Sequence, residues 1–108
     1  NLDGKPDTSR YTTGMLTHIV FIKFPDQSLA AEARRRLLSM EGKIPTLLSI
    51  EAGLDVTRSG RSWDLALLTR FADQAGLDEY AVHPVHQEVL TFIREHASGS
   101  AAVDYIDP

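Results

Sequence analysis

Hydrophobic and polar positions follow two different periods along this chain. Four segments carry β-branched and aromatic residues in runs or at every second position, which is typical of strands. Three others carry apolar residues at every third or fourth position, which is typical of amphipathic helices. The predicted elements are strands over 16–24, 49–57, 63–71 and 101–106, and helices over 28–44, 73–80 and 84–98.

This order of elements, βαββαβ, predicts an α+β protein with a ferredoxin-like fold. Its sheet has four antiparallel strands, and its helices cover only one face. The first strand is nevertheless apolar on both sides, with Val20 and Ile22 on one and Ile19 and Phe21 on the other. A single copy would leave a larger apolar patch in water than monomers usually expose. We therefore expect a homodimer in which two sheets pack face to face with two-fold symmetry.

Residues 1–14 are polar and rich in glycine, proline, serine and threonine, a composition that favours a flexible tail. Residues 15–108 then form one domain. Two origins of the tail stay open. In the first, Met15 is the natural first residue and the tail before it is artificial. In the second, the tail is a genuine extension of the protein.

Composition narrows the partners that we expect. The 108 residues include no cysteine, and their formal net charge is −4 with a pI near 5.4. Disulfides and thiolate chemistry are excluded, and an acidic chain is a poor ligand for nucleic acid or an anionic membrane. The longest apolar run is too short to span a bilayer. We expect a cytoplasmic protein.

The most informative segment runs from Tyr80 to His86. Pro84 favours the first position of a helix and keeps the preceding residue out of the helical region, which places His83 at the N-cap. His86 then falls on the apolar face of the following helix. A buried polar ring needs a hydrogen-bond partner, a ligand or a catalytic role.

The position of His86 favours a neutral imidazole, because a helix N-terminus and burial both disfavour its protonated form. Such a ring is a candidate general base, with Tyr80 or His18 as hydrogen-bond donors to a developing enolate. Three roles for His86 stay open: a structural histidine, a ligand contact and a catalytic base.

A metal site would need His83 and His86 together, with His18 and either Asp64 or Glu51. We predict none, because a histidine at the N-cap points away from His86. Trp63 is interpreted as a core or dimer-interface residue, with the wall of a ligand pocket as the alternative.

Four pieces of the sequence together resemble one known family, the stress-responsive dimeric α/β-barrel family. They are the opening Thr17-His18-Ile19-Val20-Phe21-Ile22-Lys23-Phe24, the helix exit Ile44-Pro45, the strand start Trp63-Asp64-Leu65, and Tyr80-Ala81-Val82-His83-Pro84-Val85-His86. The resemblance covers Met15 to about Tyr105. It implies a homodimer whose two sheets close into a barrel, with a pocket between sheet and helices in each protomer.

The resemblance also implies a function. We expect a small apolar or aromatic carbonyl compound in that pocket, no cofactor, and a ligand-binding set of His18, His83, Trp63 and Met40. One branch of the family is a polyketide cyclase, in which the counterpart of His86 is the base and that of Tyr80 assists. This chain has Met40 where that branch has a tyrosine, so the polarity of its pocket differs. A cofactor-independent cyclase, lyase or isomerase is the alternative, and a barrel monooxygenase is a further one.

Overall fold

A computed structural model describes residues 14–108 and contains a four-stranded antiparallel sheet with three helices. The elements are β1 (Leu16–Lys23), α1 (Gln27–Leu38), β2 (Ser49–Leu54), β3 (Leu65–Phe71), α2 (Gln74–Val82), α3 (Pro84–His96) and β4 (Gly99–Ile106). The strand order is β2-β3-β1-β4. The predicted α+β ferredoxin-like fold is therefore confirmed. The predicted tail lies outside the described residues except for Gly14, whose amide donates to the carbonyl of Asp107 at 2.8 Å.

Several element ends differ from the prediction because polar side chains terminate the elements. α1 is capped by Asp26 rather than by Ser28, since the Asp26 carboxylate accepts from the Ser28 amide at 2.8 Å. β2 ends at Leu54, short of the predicted residue 57. The Asp55 carboxylate closes the following turn by accepting from the Arg58 amide at 2.7 Å. The local hydrogen bond thus overrides the apolar alternation.

A buried carboxylate ties the β2–β3 connection to the end of β1. Asp64 accepts from the Phe24 amide at 2.7 Å and from Nη2 of Arg58 at 2.7 Å. These two hydrogen bonds hold the pKa of Asp64 below its usual range, and the bond from the Phe24 amide has the larger effect. β3 begins only after this residue, at Leu65, instead of at Trp63 as predicted.

The hydrophobic core lies between the helices and one face of the sheet. Register pairs Ile22 with Leu65 and Leu16 with Phe71, and the side chains of all four are buried on the helix side. The core also includes Ala30, Ala33, Leu37, Met40, Ile44, Leu67, Leu77, Tyr80, Val89 and Ile93. Alternation along the strands sends the intervening residues to the other side.

That other side, the open face, carries Ile19 and Phe21 of β1, Ala66 and Leu68 of β3, and Ala101, Val103 and Tyr105 of β4. Phe21 is 43% exposed and Val103 is 61% exposed. The apolar open face that the sequence predicts is thus present. β4 is an edge strand, and residues 100–106 are exposed on both faces of the sheet. None of the helices within residues 14–108 has the length and apolar character that a bilayer span requires.

Candidate functional site

α2 and α3 meet at His83, which caps the second of these helices. Its backbone is extended, and its Nδ1 accepts a hydrogen bond from the Val85 amide at 3.1 Å. Pro84 occupies the first turn of the helix. Its lack of an N–H costs no hydrogen bond there, because the first N–H groups of a helix have no acceptor within the helix. The predicted N-cap is confirmed. Because this ring is occupied in capping, His83 does not join the other histidines.

His86 lies in the first turn of α3 with its ring half-buried. Its Nδ1 is 3.0 Å from the carbonyl oxygen of Ala81. A carbonyl can only accept, so Nδ1 carries the proton and Nε2 keeps its lone pair. Burial lowers the pKa of His86, which outweighs the opposite effect of the Ala81 carbonyl. The neutral ring thus presents an unprotonated Nε2 at pH 7.

Tyr80 is 1% exposed and lies between two rings. Its ring centroid is 5.0 Å from that of Phe71 and 4.3 Å from that of His86. Its hydroxyl has no hydrogen-bond partner among residues 14–108. Burial raises the pKa of Tyr80 above its ordinary value, so the hydroxyl stays protonated and can donate.

His18 reaches the same place from the sheet. It lies on the helix side of β1, and its ring meets that of Tyr80 edge-on, with the centroids 6.4 Å apart. In the register of β1 and β4, His18 is opposite Asp104, and its Nδ1 hydrogen-bonds the Asp104 carboxylate. We call His18, Tyr80 and His86 the ring cluster.

Asp104 is the residue of this site that the sequence analysis missed. The ferredoxin-like order places β4 beside β1, and alternation in 101–106 sends Asp104 to the helix side. These two signals together could have paired it with His18. The exact register depends on how β4 is aligned, which local patterns do not specify.

The two remaining residues of the predicted set lie in different parts of the fold. Met40 is fully buried in the hydrophobic core. Trp63 lies on the open face, where Nζ of Lys23 is 4.8 Å from its ring centroid. The sequence had placed Trp63 at the start of the third strand. It precedes the strand, however, so the alternation of β3 does not apply to it.

Asp64 and Glu51, which a metal site would have used, are also remote from the ring cluster. Asp64 binds Phe24 and Arg58, and Glu51 borders a cavity on the open face. In the part of the chain that the structure describes, no three histidine or carboxylate side chains are grouped as a metal site requires.

A cavity of about 430 Å³ lies on the open face, on the opposite side of the sheet from the ring cluster. Its floor consists of Gly53 and Ala66, which pair between β2 and β3. Phe21, Leu68 and Trp63 form its walls, and charged residues border it. This cavity therefore belongs to the surface where a second copy is expected.

A four-stranded antiparallel sheet of order β2-β3-β1-β4 with helices on one face defines a ferredoxin-like α+β domain. Residues 16–107 match the model of the stress-responsive A/B barrel domain, and the chain belongs to that family. This confirms the resemblance seen in the sequence. No curated protein matches the chain.

Two similar solved structures are described as dimeric ferredoxin-like proteins of unknown function. The one from Bacteroides fragilis is 28% identical, covers 89% of this chain and 99% of its own, and has a TM-score of 0.79. The one from Jannaschia sp. CCS1 is 30% identical, covers 85% of this chain and 98% of its own, and has a TM-score of 0.69.

A third similar structure is the hydroxynitrile lyase from Passiflora edulis. It is 15% identical to this chain, covers 87% of it and 94% of its own length, and has a TM-score of 0.75. At this identity the likeness extends to the fold alone, and it assigns no chemistry to His86.

Proposed function

We propose that this protein is a homodimeric barrel that binds a small apolar or aromatic carbonyl compound at the ring cluster. The apolar open face supports the dimer, because Phe21 and Val103 would otherwise remain in water. The dimeric relatives at 28% and 30% identity support it as well.

The observation that carries the ligand proposal is the pair of unpartnered polar atoms in the ring cluster. Within residues 14–108, the Tyr80 hydroxyl is a buried donor without an acceptor. His86 offers Nε2 as an acceptor, because its Nδ1 is bound to Ala81. Small-molecule sites combine apolar walls with a few polar groups of this kind. A carbonyl oxygen would satisfy the Tyr80 hydroxyl, and an aromatic body would stack on the rings.

Access to the Tyr80 hydroxyl requires a local movement. The His86 ring stacks on Tyr80 at 4.3 Å, and the hydroxyl is closed to solvent. We infer that a ligand enters by displacing the His86 side chain, which is held by one hydrogen bond to Ala81. A neutral imidazole gives up such a bond at a net cost of about 1 kcal/mol.

Acetophenone and ethylbenzene test this proposal, because they share the aromatic ring and differ in the carbonyl. We expect acetophenone to shift the Cε1–H NMR signals of His18 and His86 and to bind roughly tenfold more tightly than ethylbenzene. Tyr80→Phe should abolish that preference, whereas Tyr105→Phe, on the open face, should keep it. Equal affinity of the wild-type protein for both compounds would contradict carbonyl recognition.

The dimer is tested separately by light scattering of the ligand-free protein. We expect twice the chain mass at micromolar concentration, as standard-sized interfaces provide. A chain that stays monomeric at that concentration contradicts this part of the proposal and leaves the ligand test unaffected.

The second candidate is a cofactor-independent cyclase, lyase or isomerase, and the neutral His86 ring favours it. In such a reaction the C–H bond next to a carbonyl breaks, and the proton moves to Nε2 of His86. The electron pair forms an enolate, whose oxygen accepts from the Tyr80 hydroxyl. A base in this position supplies a rate factor on the order of 10² to 10⁴.

Exchange of the methyl protons of acetophenone for deuterium in D₂O measures this step without a known substrate. A catalytic His86 should accelerate the exchange, and His86→Gln should return it to the rate in buffer. His83→Gln provides a matched control, since that ring acts as a cap. If the wild-type and His86→Gln proteins exchange at the same rate, the catalytic candidate is wrong and the binding proposal stands.

A further inference from the structure

Another cavity, of about 340 Å³, lies where the α1–β2 connection and the end of β3 meet the first turns of α2. We call it the Thr46 cavity, after the residue that lines it from the α1–β2 connection. It shares no lining residue with the cavity on the open face, and none of its lining residues belongs to the ring cluster. It is therefore a separate feature of the fold.

Thr46 carries a hydroxyl group that the chain leaves unused. The residue is partly buried, and its Oγ1 is closed to solvent without a hydrogen-bond partner among residues 14–108. Buried polar groups in proteins nearly always have a partner, because burial without one is unfavourable. Valine would fill the same space without that cost. The hydroxyl therefore indicates a partner that is not part of the chain.

Gly76 leaves space beside this hydroxyl. It lies in the first turns of α2 with a φ outside the left-handed region, so its backbone does not require glycine. Alanine would also favour the helix more. A Cβ added there would lie 3.4 Å from Cβ of Phe71, 3.5 Å from Oδ1 of Asp73 and 3.6 Å from Cβ of Thr46, which are ordinary contacts. Alanine would thus fit, and its absence leaves room between Thr46 and Asp73.

The charge of the cavity is negative. Asp73 and Glu79 are its charged lining residues, and neither forms an ion pair within residues 14–108. Oδ1 of Asp73 accepts from the Gly76 amide at 2.9 Å, and its carboxylate can still accept other bonds. No lysine or arginine lines the cavity. The two carboxylates therefore favour a cation, although a helix begins here.

The remaining walls are apolar and consist of Pro45, Leu48, Ala72 and Ala75. Leu48 is 54% exposed in spite of its size. A ligand that covers it removes apolar surface from water, which favours binding. Apolar walls with a few polar groups are typical of small-molecule sites.

We propose that the Thr46 cavity binds a primary ammonium group carried on a short alkyl chain. An ammonium group donates three hydrogen bonds and accepts none. Asp73, Glu79 and the Thr46 hydroxyl provide acceptors, and the alkyl chain packs on the apolar walls. The Thr46 side chain has three staggered rotamers, and the ligand favours the one that turns its hydroxyl toward the ammonium group.

Three probes with the same alkyl chain length test the choice of ligand: n-butylammonium, n-butanol and butyrate. We expect n-butylammonium to shift the amide NMR signals of Thr46 and Gly76 in a saturable way at constant ionic strength and pH 7. It should bind roughly tenfold more tightly than n-butanol, since charge-assisted hydrogen bonds are the stronger ones. Butyrate should not bind. Equal affinity for n-butanol or for butyrate would overturn the assignment of a cation.

Variants test the place of binding. Thr46→Val removes the hydroxyl, Gly76→Ala fills the space beside it, and Glu79→Gln removes one charge. We expect each to weaken the binding of n-butylammonium by about tenfold. The first two should stay folded, because one leaves no partner unpaired and the other adds only ordinary contacts. Glu88→Gln and Gly60→Ala make the same types of change outside the cavity and should bind like the wild type.

The pattern across these variants decides the inference. Wild-type affinity in both Thr46→Val and Gly76→Ala would overturn the site, because the ammonium group would then be attracted by surface charge alone. Weaker binding in all three cavity variants, with wild-type affinity in Glu88→Gln and Gly60→Ala, supports it. Either result leaves the acetophenone test of the ring cluster unaffected, so the proposed function does not depend on this site.

Discussion

His18 on β1 and Asp104 on β4 form a hydrogen-bonded pair, although 86 residues separate them in the chain. Both side chains keep some contact with solvent, so the pair adds little to stability. Its main effect is on orientation. With Nδ1 of His18 bound to the carboxylate, Nε2 is the nitrogen left for a further contact.

Replacement of Asp104 should change the His18 ring more than the stability of the fold. We expect Asp104→Ala to lower the free energy of unfolding by less than about 1 kcal/mol, as for other exposed pairs. The NMR signal of the His18 Nδ1 proton, protected from exchange by the carboxylate, should disappear. Asp78→Ala, on the exposed side of α2, should keep that signal. Its persistence in Asp104→Ala would contradict the pairing.

Tyr80→Phe should stabilise the protein. The hydroxyl is buried without a partner among the described residues, and a group in that state costs about 1–3 kcal/mol. We therefore expect the free energy of unfolding in urea to rise by about 1 kcal/mol. A less stable Tyr80→Phe protein would mean that the hydroxyl already has a partner in the folded chain.

The lowered pKa of His86 makes stability depend on pH in a specific direction. The unfolded chain binds this proton more readily than the folded one, so His86 contributes fully above its ordinary pKa of 6.5. That contribution is lost as the pH falls through the lower pKa of the folded state. Urea unfolding at about pH 7.5 and pH 5 should show a larger loss for the wild type than for His86→Gln. Equal losses would indicate that burial does not shift this pKa.

Asp64 should be important for stability, because its carboxylate accepts from the Phe24 amide and from Arg58. Asp64→Ala leaves the buried amide unpaired, and we expect a loss of about 3 kcal/mol in the free energy of unfolding. Asp78→Ala should cost far less, since its side chain is exposed. If both variants unfold alike in guanidinium chloride, the Asp64 bonds contribute little.

The same carboxylate predicts a second pH effect. Its pKa is lowered, so its contribution is present above the ordinary value of 3.8 and is lost as the pH falls through the lower value of the folded state. The difference in stability between wild type and Asp64→Ala should therefore shrink in strong acid. An unchanged difference there would contradict the cited hydrogen bonds.

The order of elements and the two faces of the sheet could be predicted because they depend on local periodicity. Ile19 and Phe21 alternate with Val20 and Ile22, and this alternation alone identified an open apolar face. The His83-Pro84 N-cap was equally local, since proline restricts itself and its predecessor.

The parts that failed depend on contacts between distant segments. The predicted start of the third strand at Trp63 was wrong, because β3 starts two residues later than its apolar pattern. Asp104 was missed, because only the register of β4 pairs it with His18. Burial of the Tyr80 hydroxyl could not be foreseen either, since it depends on the position of the His86 ring.

β4 pairs with β1 through its backbone, while residues 100–106 remain exposed within one chain. Substitutions along this strand should therefore hardly alter how a lone chain folds. Selection on its amino acids would act instead through whatever touches them from outside. Natural variation at these positions would then reflect selection on contacts with other molecules rather than selection on folding.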